Sequence, residues 1–234
     1  MGKRDHRQLL ITALDRIPLL ASMPSERRHA LAERMKLNSY PKNAVVISKG
    51  DRCDGIMFLI EGSLQVVDYS EDGREIGLNF FQPGEFFGEL ALIDGLPRSA
   101  CVLAMEPSQV AILPKEYALP LITQTPAVAE AMLKHLTRVI RDLTEMRAIL
   151  SMPSSRQRLL AWLVRMTRAA SSREHAVIEL PSHRQVAIMI NASRETVSRV
   201  LAELERRAIL EKRRHRLIIR RLDELERLAR ERAD

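Results

Sequence analysis

The stretch FGELALIDGLPRSA, residues 87–100, gathers residue types that can hold an anion. Gly88 can let a backbone or ligand approach closely. The residues that follow, Glu89 and Leu90 onward, can form one helical turn whose first amides attract negative charge. Arg98 supplies a planar fork of N–H donors, and Ser99 a hydroxyl beside a backbone N–H. Glu89 has the wrong sign for an anion and can only accept hydrogen bonds. Two readings stand open on these residues alone. One is a turn whose Glu89 and Arg98 pair with each other; the other is a pocket built for an anion.

A second constellation lies in LPSHRQVAIMINASRETVSRVLAELERRAIL, residues 180–210. Ser182 and Gln185 have the S-x-x-Q spacing of a capping box, which opens a helix. INA at 190–192 reads as a turn, and Ser193 as the N-cap of a second helix. In that helix Val197, Val200, Leu201 and Leu204 recur at helical spacing and are expected on the core. Arg194, Glu195, Ser198 and Arg199 then share the opposite face. Arginine can donate two hydrogen bonds to guanine and glutamate can accept from cytosine. Glu195 and Arg199 are also an i, i+4 pair, so a solvated salt bridge is the competing expectation. The segment AILEKRRHRLIIRR that follows reads as strand, basic turn and strand. It carries Lys212, Arg213, Arg214, His215 and Arg216 where they could meet phosphates.

The elements that must position these residues are marked by glycine. Eight of the nine glycines fall between positions 50 and 95. Between and after them run short β-leaning segments: NAVVIS, IMFLIEG, SLQVVDYS, EIGLNFF, SACVLAM and QVAILP. Such spacing predicts an antiparallel barrel or roll, with a hairpin turn at EDGRE, residues 71–75. After Pro126 helix takes over. Ala129, Met132, Leu136, Val139, Leu143, Met146 and Leu150 step alternately by three and four, a heptad seam expected to pair with a second copy of the chain. Leu133 and Ile140 form a flanking row expected to lie on the chain's own β-domain. SMPSS at 151–155 is expected to be a hinge, because Pro153 cannot continue the helix. The final RLDELERLARERAD reads as a charged, solvated helical tail.

The predicted class is α+β. An N-terminal helical and β-roll domain covers 1–125, a long dimerisation helix 126–150, a hinge 151–155, and a winged helix-turn-helix 156–234. Charge follows this division. Residues 151–234 hold 19 Lys/Arg and 11 Asp/Glu, against 18 and 19 in residues 1–150. The basic excess of the last third points to a polyanion, either nucleic acid or an anionic membrane surface. No apolar run reaches the roughly 20 residues of a membrane helix. Two cysteines are too few for a disulfide framework or a four-thiolate iron–sulfur site. A cytoplasmic location is expected.

SRETVSRVLAELE is similar to the recognition helix of the cyclic-AMP receptor protein and Fnr family of bacterial transcription regulators. Arg194, Glu195 and Arg199 match that family's Arg-Glu-x-x-x-Arg frame, and the order of elements matches over essentially the whole chain. The resemblance implies a homodimer reading a palindrome of TGTGA-like half-sites in double-stranded DNA, and it allows a contact with RNA polymerase. GELALIDGLPRSA resembles the family's phosphate-binding cassette in its nucleotide-competent form. By that resemblance Glu89 takes a ribose hydroxyl, while Arg98 and Ser99 take the phosphate of a cyclic nucleotide. One departure is visible. Relatives that bind cyclic AMP carry a Thr-Ser pair on the dimer helix against the adenine, and the matching positions here are Leu143 and Thr144. Cyclic AMP is the first expectation for the effector, with cyclic GMP, cyclic di-GMP and an apo-active form open.

Rival readings are weaker on the residues present. A haem sensor of this family would need a histidine on the roll, and none lies between positions 30 and 134. A cyclic-nucleotide module that regulates an attached enzyme or channel would leave the winged segment without a purpose. No nucleophile–base pair, metal-ligand spacing or P-loop suggests an enzyme, and no metal is expected.

Overall fold

Strand β3 (Gly55–Glu61) carries the run GIMFLIE because it is buried on both sides. Ile56, Phe58 and Ile60 point into one apolar cluster, and Met57 and Leu59 into a second. The computed structural model describes residues 10–69, 72, 75–169, 177–213 and 216–231. The chain divides into two compact units, Met1–Arg138 and Val139–Asp234.

In the first unit two four-stranded antiparallel sheets make the roll. One has the order β1-β8-β3-β6, with β1 Lys36–Tyr40, β8 Ser108–Pro114 and β6 Phe86–Phe87. The other has the order β2-β7-β4-β5, with β2 Val45–Ile47, β7 Cys101–Ala104, β4 Leu64–Tyr69 and β5 Glu75–Phe81. Six strands coincide with the predicted runs. Two were not legible: KLNSY of β1 has no apolar alternation, and β6 is only FF. The predicted turn at 71–75 lies largely outside the described residues, although Tyr69 and Glu75 pair across it. Helices cover the face of the first sheet: α1 (Ser25–Ala32), the short α2 (Glu89–Asp94) and α3 (Lys115–Gln124). Helix α3 was not legible in advance, because its interior Pro120 reads as a breaker.

Helix α4 (Pro126–Leu150) spans residue 138, at which the chain divides into its two units. Its burial corrects the predicted seam. Val128 and Met132 are buried in the core of the roll, with Ala131 and Leu136 packed at its edge. Met132, expected on a partner, is thus only 2% exposed within its own domain. Leu133 and Ile140, expected on the roll, are instead 64% and 63% exposed, as is Leu143 at 57%. The exposed apolar stripe is therefore Leu133, Ile140, Leu143 and Leu150, with the half-buried Leu136 between them at the edge of the roll core. Leu136, Leu143 and Leu150 are shared with the predicted seam, whereas Leu133 and Ile140 lie one residue after the predicted Met132 and Val139. Val139 and Met146 are half-buried.

The second unit contains α5 (Ser155–Ala169), α6 (His183–Met189), α7 (Arg194–Arg206) and α8 (Leu222–Arg230). Its three-stranded antiparallel sheet has the order β10-β11-β9, with β9 Val177–Glu179, β10 Leu210–Arg213 and β11 Arg216–Ile219. This is a helix-turn-helix followed by a hairpin wing. The last helix is not a free tail, because Leu225 and Leu228 of α8 are buried.

Candidate functional site: an arginine cradle on the roll and a capped helix pair on the second unit

On the first unit the chain brings Gly88, Glu89 and Arg98 together. Gly88 has φ 80°, a left-handed conformation that strains any other residue. A Cβ there would overlap the Arg98 guanidinium. Gly88 is therefore required by the close approach of Arg98. Arg98 is 4% exposed and is held from two sides. Its Nη1 donates to the Gly88 carbonyl at 2.8 Å. Its Nη2 donates to Asp54 Oδ1 at 2.7 Å and to the Gly55 carbonyl at 3.0 Å. Its backbone N–H donates to the Asp51 carbonyl, and its carbonyl accepts from Gly50 N–H, both at 2.9 Å. The loop between β2 and β3, residues 48–54, thus cradles Arg98. Among the described residues three of the five guanidinium N–H groups are engaged, which leaves two for another acceptor.

Glu89 is 8% exposed, and burial raises its pKa against the opposing pull of its own backbone N–H and of Arg98. Arg98 takes Asp54, not Glu89, as its ion-pair partner. The turn in which Glu89 and Arg98 pair is therefore not what forms. Ser99 is exposed, and Leu90 is 45% exposed beside the exposed Ile93 and Leu96. The other two predicted ligand residues, Leu143 and Thr144, belong to the second unit. There Leu143 is solvent-facing and the Thr144 hydroxyl donates to the Ile140 carbonyl of its own helix at 2.9 Å. Asp54 and its loop were missed by sequence reasoning, since the aspartates of GDRCDG read as ordinary turn residues.

The second unit assembles the other constellation. Ser182 caps α6 with both arms of the predicted box: its side chain accepts from Gln185 N–H, and Gln185 Oε1 accepts from Ser182 N–H at 2.7 Å. Ser193 caps α7 through Thr196 N–H at 3.1 Å. Val197, Val200, Leu201 and Leu204 are buried, while Arg194, Glu195 and Arg199 are exposed. Among the described residues Glu195 and Arg199 form no ion pair with each other. Both therefore keep their donors and acceptors for another partner.

Two residues without a sequence signal organise this face. Arg158 of α5 donates to the carbonyls of Ile190 at 2.7 Å and Asn191 at 2.6 Å, and also to that of Met152 at 2.8 Å. One guanidinium thus ties the turn between α6 and α7, where Asn191 has φ 49°, to the segment before α5. His183 lies at the start of α6. Its Nδ1 is 2.7 Å from Ser198 Oγ, and its Nε2 is 3.3 Å from Lys212 Nζ. An ammonium only donates, so Nε2 accepts and the ring proton sits on Nδ1, donating to Ser198. Burial, then Lys212 and Arg194, hold the His183 pKa below its ordinary value. Ser198 is half-buried and occupied by this bond, unlike its exposed neighbours.

On the wing, Lys212 and Arg213 are exposed, with Arg213 paired to Glu211. Arg216 is exposed on β11, opposite Arg213. Arg214 and His215 lie outside the described residues. Among the described residues no cluster of His, Cys, Asp and Glu could hold a metal. No described helix is long and apolar enough to cross a membrane.

Comparison with known proteins divides the chain in the same way. Residues 37–125 match the cyclic nucleotide-binding domain, and residues 157–228 match the Crp-like helix-turn-helix domain. The chain is 28% identical over 173 residues to the cAMP-activated global transcriptional regulator CRP of Pasteurella multocida, covering 72% of this chain and 82% of that protein. It is 28% identical over 193 residues to the cyclic AMP receptor protein of Thermus thermophilus, covering 82% and 88%. FixK2 from Bradyrhizobium japonicum superposes with a TM-score of 0.72 over 85% of this chain and 99% of that one, a likeness of fold at 20% identity.

Proposed function

The chain belongs to the cyclic-AMP receptor protein/Fnr family of bacterial transcription regulators, and from that premise we propose that it is a dimeric, sequence-specific DNA-binding regulator controlled by a cyclic nucleotide. The observation that carries the DNA half is the polarity of α7. Its apolar side is wholly buried, while Arg194, Glu195 and Arg199 stand exposed in its first two turns. Those turns are the ones that enter a major groove when a helix-turn-helix docks. The two arginines read guanine and Glu195 reads cytosine. Ser182, Lys212, Arg213, Arg214 and Arg216 take phosphates, and Ser198 supports His183.

The effector half rests on the buried Arg98. A cyclic phosphate takes the remaining Arg98 donors and Ser99, and Glu89 accepts from the ribose, with cyclic AMP as the first candidate. Two of the relatives named above carry cyclic AMP in their names, as a cAMP-activated regulator and a cyclic AMP receptor protein. Dimerisation uses the exposed Leu133, Ile140, Leu143 and Leu150 with the half-buried Leu136 between them, in place of the seam that included Met132. Two copies then place their α7 helices about one DNA turn apart on a palindrome. Contact with RNA polymerase follows as a family expectation.

A second reading has its own observation. At the positions expected to meet the base, Leu143 is an exposed apolar side chain and the Thr144 hydroxyl is spent on its own helix. That favours a dimer less dependent on ligand, or a different effector such as cyclic GMP or cyclic di-GMP.

Titration calorimetry with cyclic AMP, cyclic GMP and cyclic di-GMP separates these readings. Saturable binding of one of them, abolished in Arg98→Ala, supports the sensor, and no heat from any of them removes it. Arg199→Ala tests the DNA half. It should lose discrimination between operator and scrambled duplex while keeping salt-dependent, non-specific binding.

A further inference from the structure

Arg98 is the cation of the cassette, yet it is already neutralised. The Asp54 carboxylate sits 2.7 Å from its Nη2. The Arg98 side chain is 3% exposed and Asp54 63% exposed, so the pair points from the interior toward solvent. The buried Glu89 carboxylate lies close enough for the charge of Arg98 to act on it. A ligand phosphate must therefore approach one arginine that faces two carboxylates. Under those conditions the number of charges on the phosphate matters. A cyclic 3′,5′-phosphodiester carries one negative charge. A terminal phosphomonoester carries close to two at pH 8, its second pKa being about 6.

Building on the cyclic-nucleotide reading above, we propose that Asp54 is a specificity-determining residue: fixed against Arg98, it admits a singly charged phosphodiester and turns away doubly charged phosphomonoesters. The selectivity is electrostatic. For scale, a carboxylate held about 6 Å from a phosphate in water-like surroundings weakens a monoanion about threefold and a dianion about tenfold. Asp54 thereby discriminates against nucleoside monophosphates, the hydrolysis products of cyclic nucleotides. Those products keep the same base and ribose, which neither Glu89 nor the base-facing positions can distinguish.

The test uses full-length protein at pH 8 and two probes, cyclic 3′,5′-AMP and 5′-AMP, the latter read by displacement of bound cyclic AMP. Asp54→Asn keeps the shape and an oxygen acceptor for Arg98 but removes the charge. It should strengthen cyclic AMP about threefold and 5′-AMP about tenfold, whereas Asp54→Glu should retain the wild-type ratio. If Asp54→Asn changes both ligands by the same factor, Asp54 only positions Arg98 and the inference is overturned. If wild type binds no cyclic nucleotide, the reading beneath it falls first, and the two failures are told apart by the wild-type titration. Should Asp54→Asn fail to fold, the wild-type preference serves instead. It must shrink as salt rises from about 0.05 M to about 0.5 M, and a salt-independent preference refutes an electrostatic origin.

Discussion

Replacing Gly88 with alanine should injure the cassette more than its chemistry suggests, and Gly95 provides the control. Both glycines are left-handed, with φ 80° and 72°, and they flank the same short helix. A side chain in that conformation costs roughly 1–2 kcal/mol. At Gly95 a Cβ would meet nothing within 4 Å, so Gly95→Ala should pay the backbone term alone. At Gly88 the new carbon would overlap Arg98 Nη1 and lie 3.3 Å from Cζ. The guanidinium must then retreat, although it is buried and tied to Gly88, Gly55 and Asp54. Losing one such charge-assisted bond adds about 1.5–3 kcal/mol. Gly88→Ala should thus cost about 2.5–5 kcal/mol against about 1–2 for Gly95→Ala. Scanning calorimetry reads that gap as a further fall of some 5–10 °C in melting temperature. Titration calorimetry should show cyclic-nucleotide affinity lost in Gly88→Ala and largely kept in Gly95→Ala. If the two variants melt together and bind alike, Arg98 is not held as described.

The remaining predictions concern α4 and the second unit. Met132→Ala should destabilise the roll by about 2–5 kcal/mol without changing the oligomeric state, whereas Ile140→Glu should leave its melting unchanged and yield monomers by sedimentation. If Met132→Ala dissociates the dimer and Ile140→Glu does not, the seam runs where the heptad of 129–150 first suggested. His183 has a folded pKa below its ordinary 6.5. In the window below 6.5 the unfolded chain therefore binds more protons than the folded one. The stability of the second unit is accordingly complete above 6.5 and falls as pH drops through that value toward the folded pKa. Glu203 is held below its ordinary 4.5 by Arg156, and Glu211 by Arg220 and Arg213; each adds a loss of the same sign at lower pH. Thermal melts between pH 7.5 and 5 should show the first loss in wild type and a flatter profile in His183→Gln; equal slopes would refute the placement of His183.

What could be read from the residues was whatever is local and periodic. The capping box at Ser182 and Gln185, the buried stripe of α7 and the turn-bounded strands each declare themselves within a few positions. The short β6 and the helix containing Pro120 do not, because tertiary packing overrides their local preference. The seam of α4 failed for a different reason. A helix with apolar residues at 132, 133, 136, 139, 140 and 143 offers two overlapping heptads, and only the contact with the roll decides which is used. Arg98 was legible as a cation but not its state, since Asp54 is 44 positions away and joins it only in the fold. Arg158 and His183 act in the same way, through the carbonyls of a distant turn and through the wing.

The proposed regulation runs from nucleotide on the roll to sequence-specific binding by α7. Fluorescence anisotropy of a labelled duplex carrying an inverted TGTGA repeat, against a scrambled duplex at fixed salt, tests it most directly. With cyclic AMP present, the protein should bind the operator at least about a thousandfold more tightly than the scrambled duplex, and without nucleotide that preference should shrink. Equal affinity for both duplexes, with and without nucleotide, would rule that regulation out.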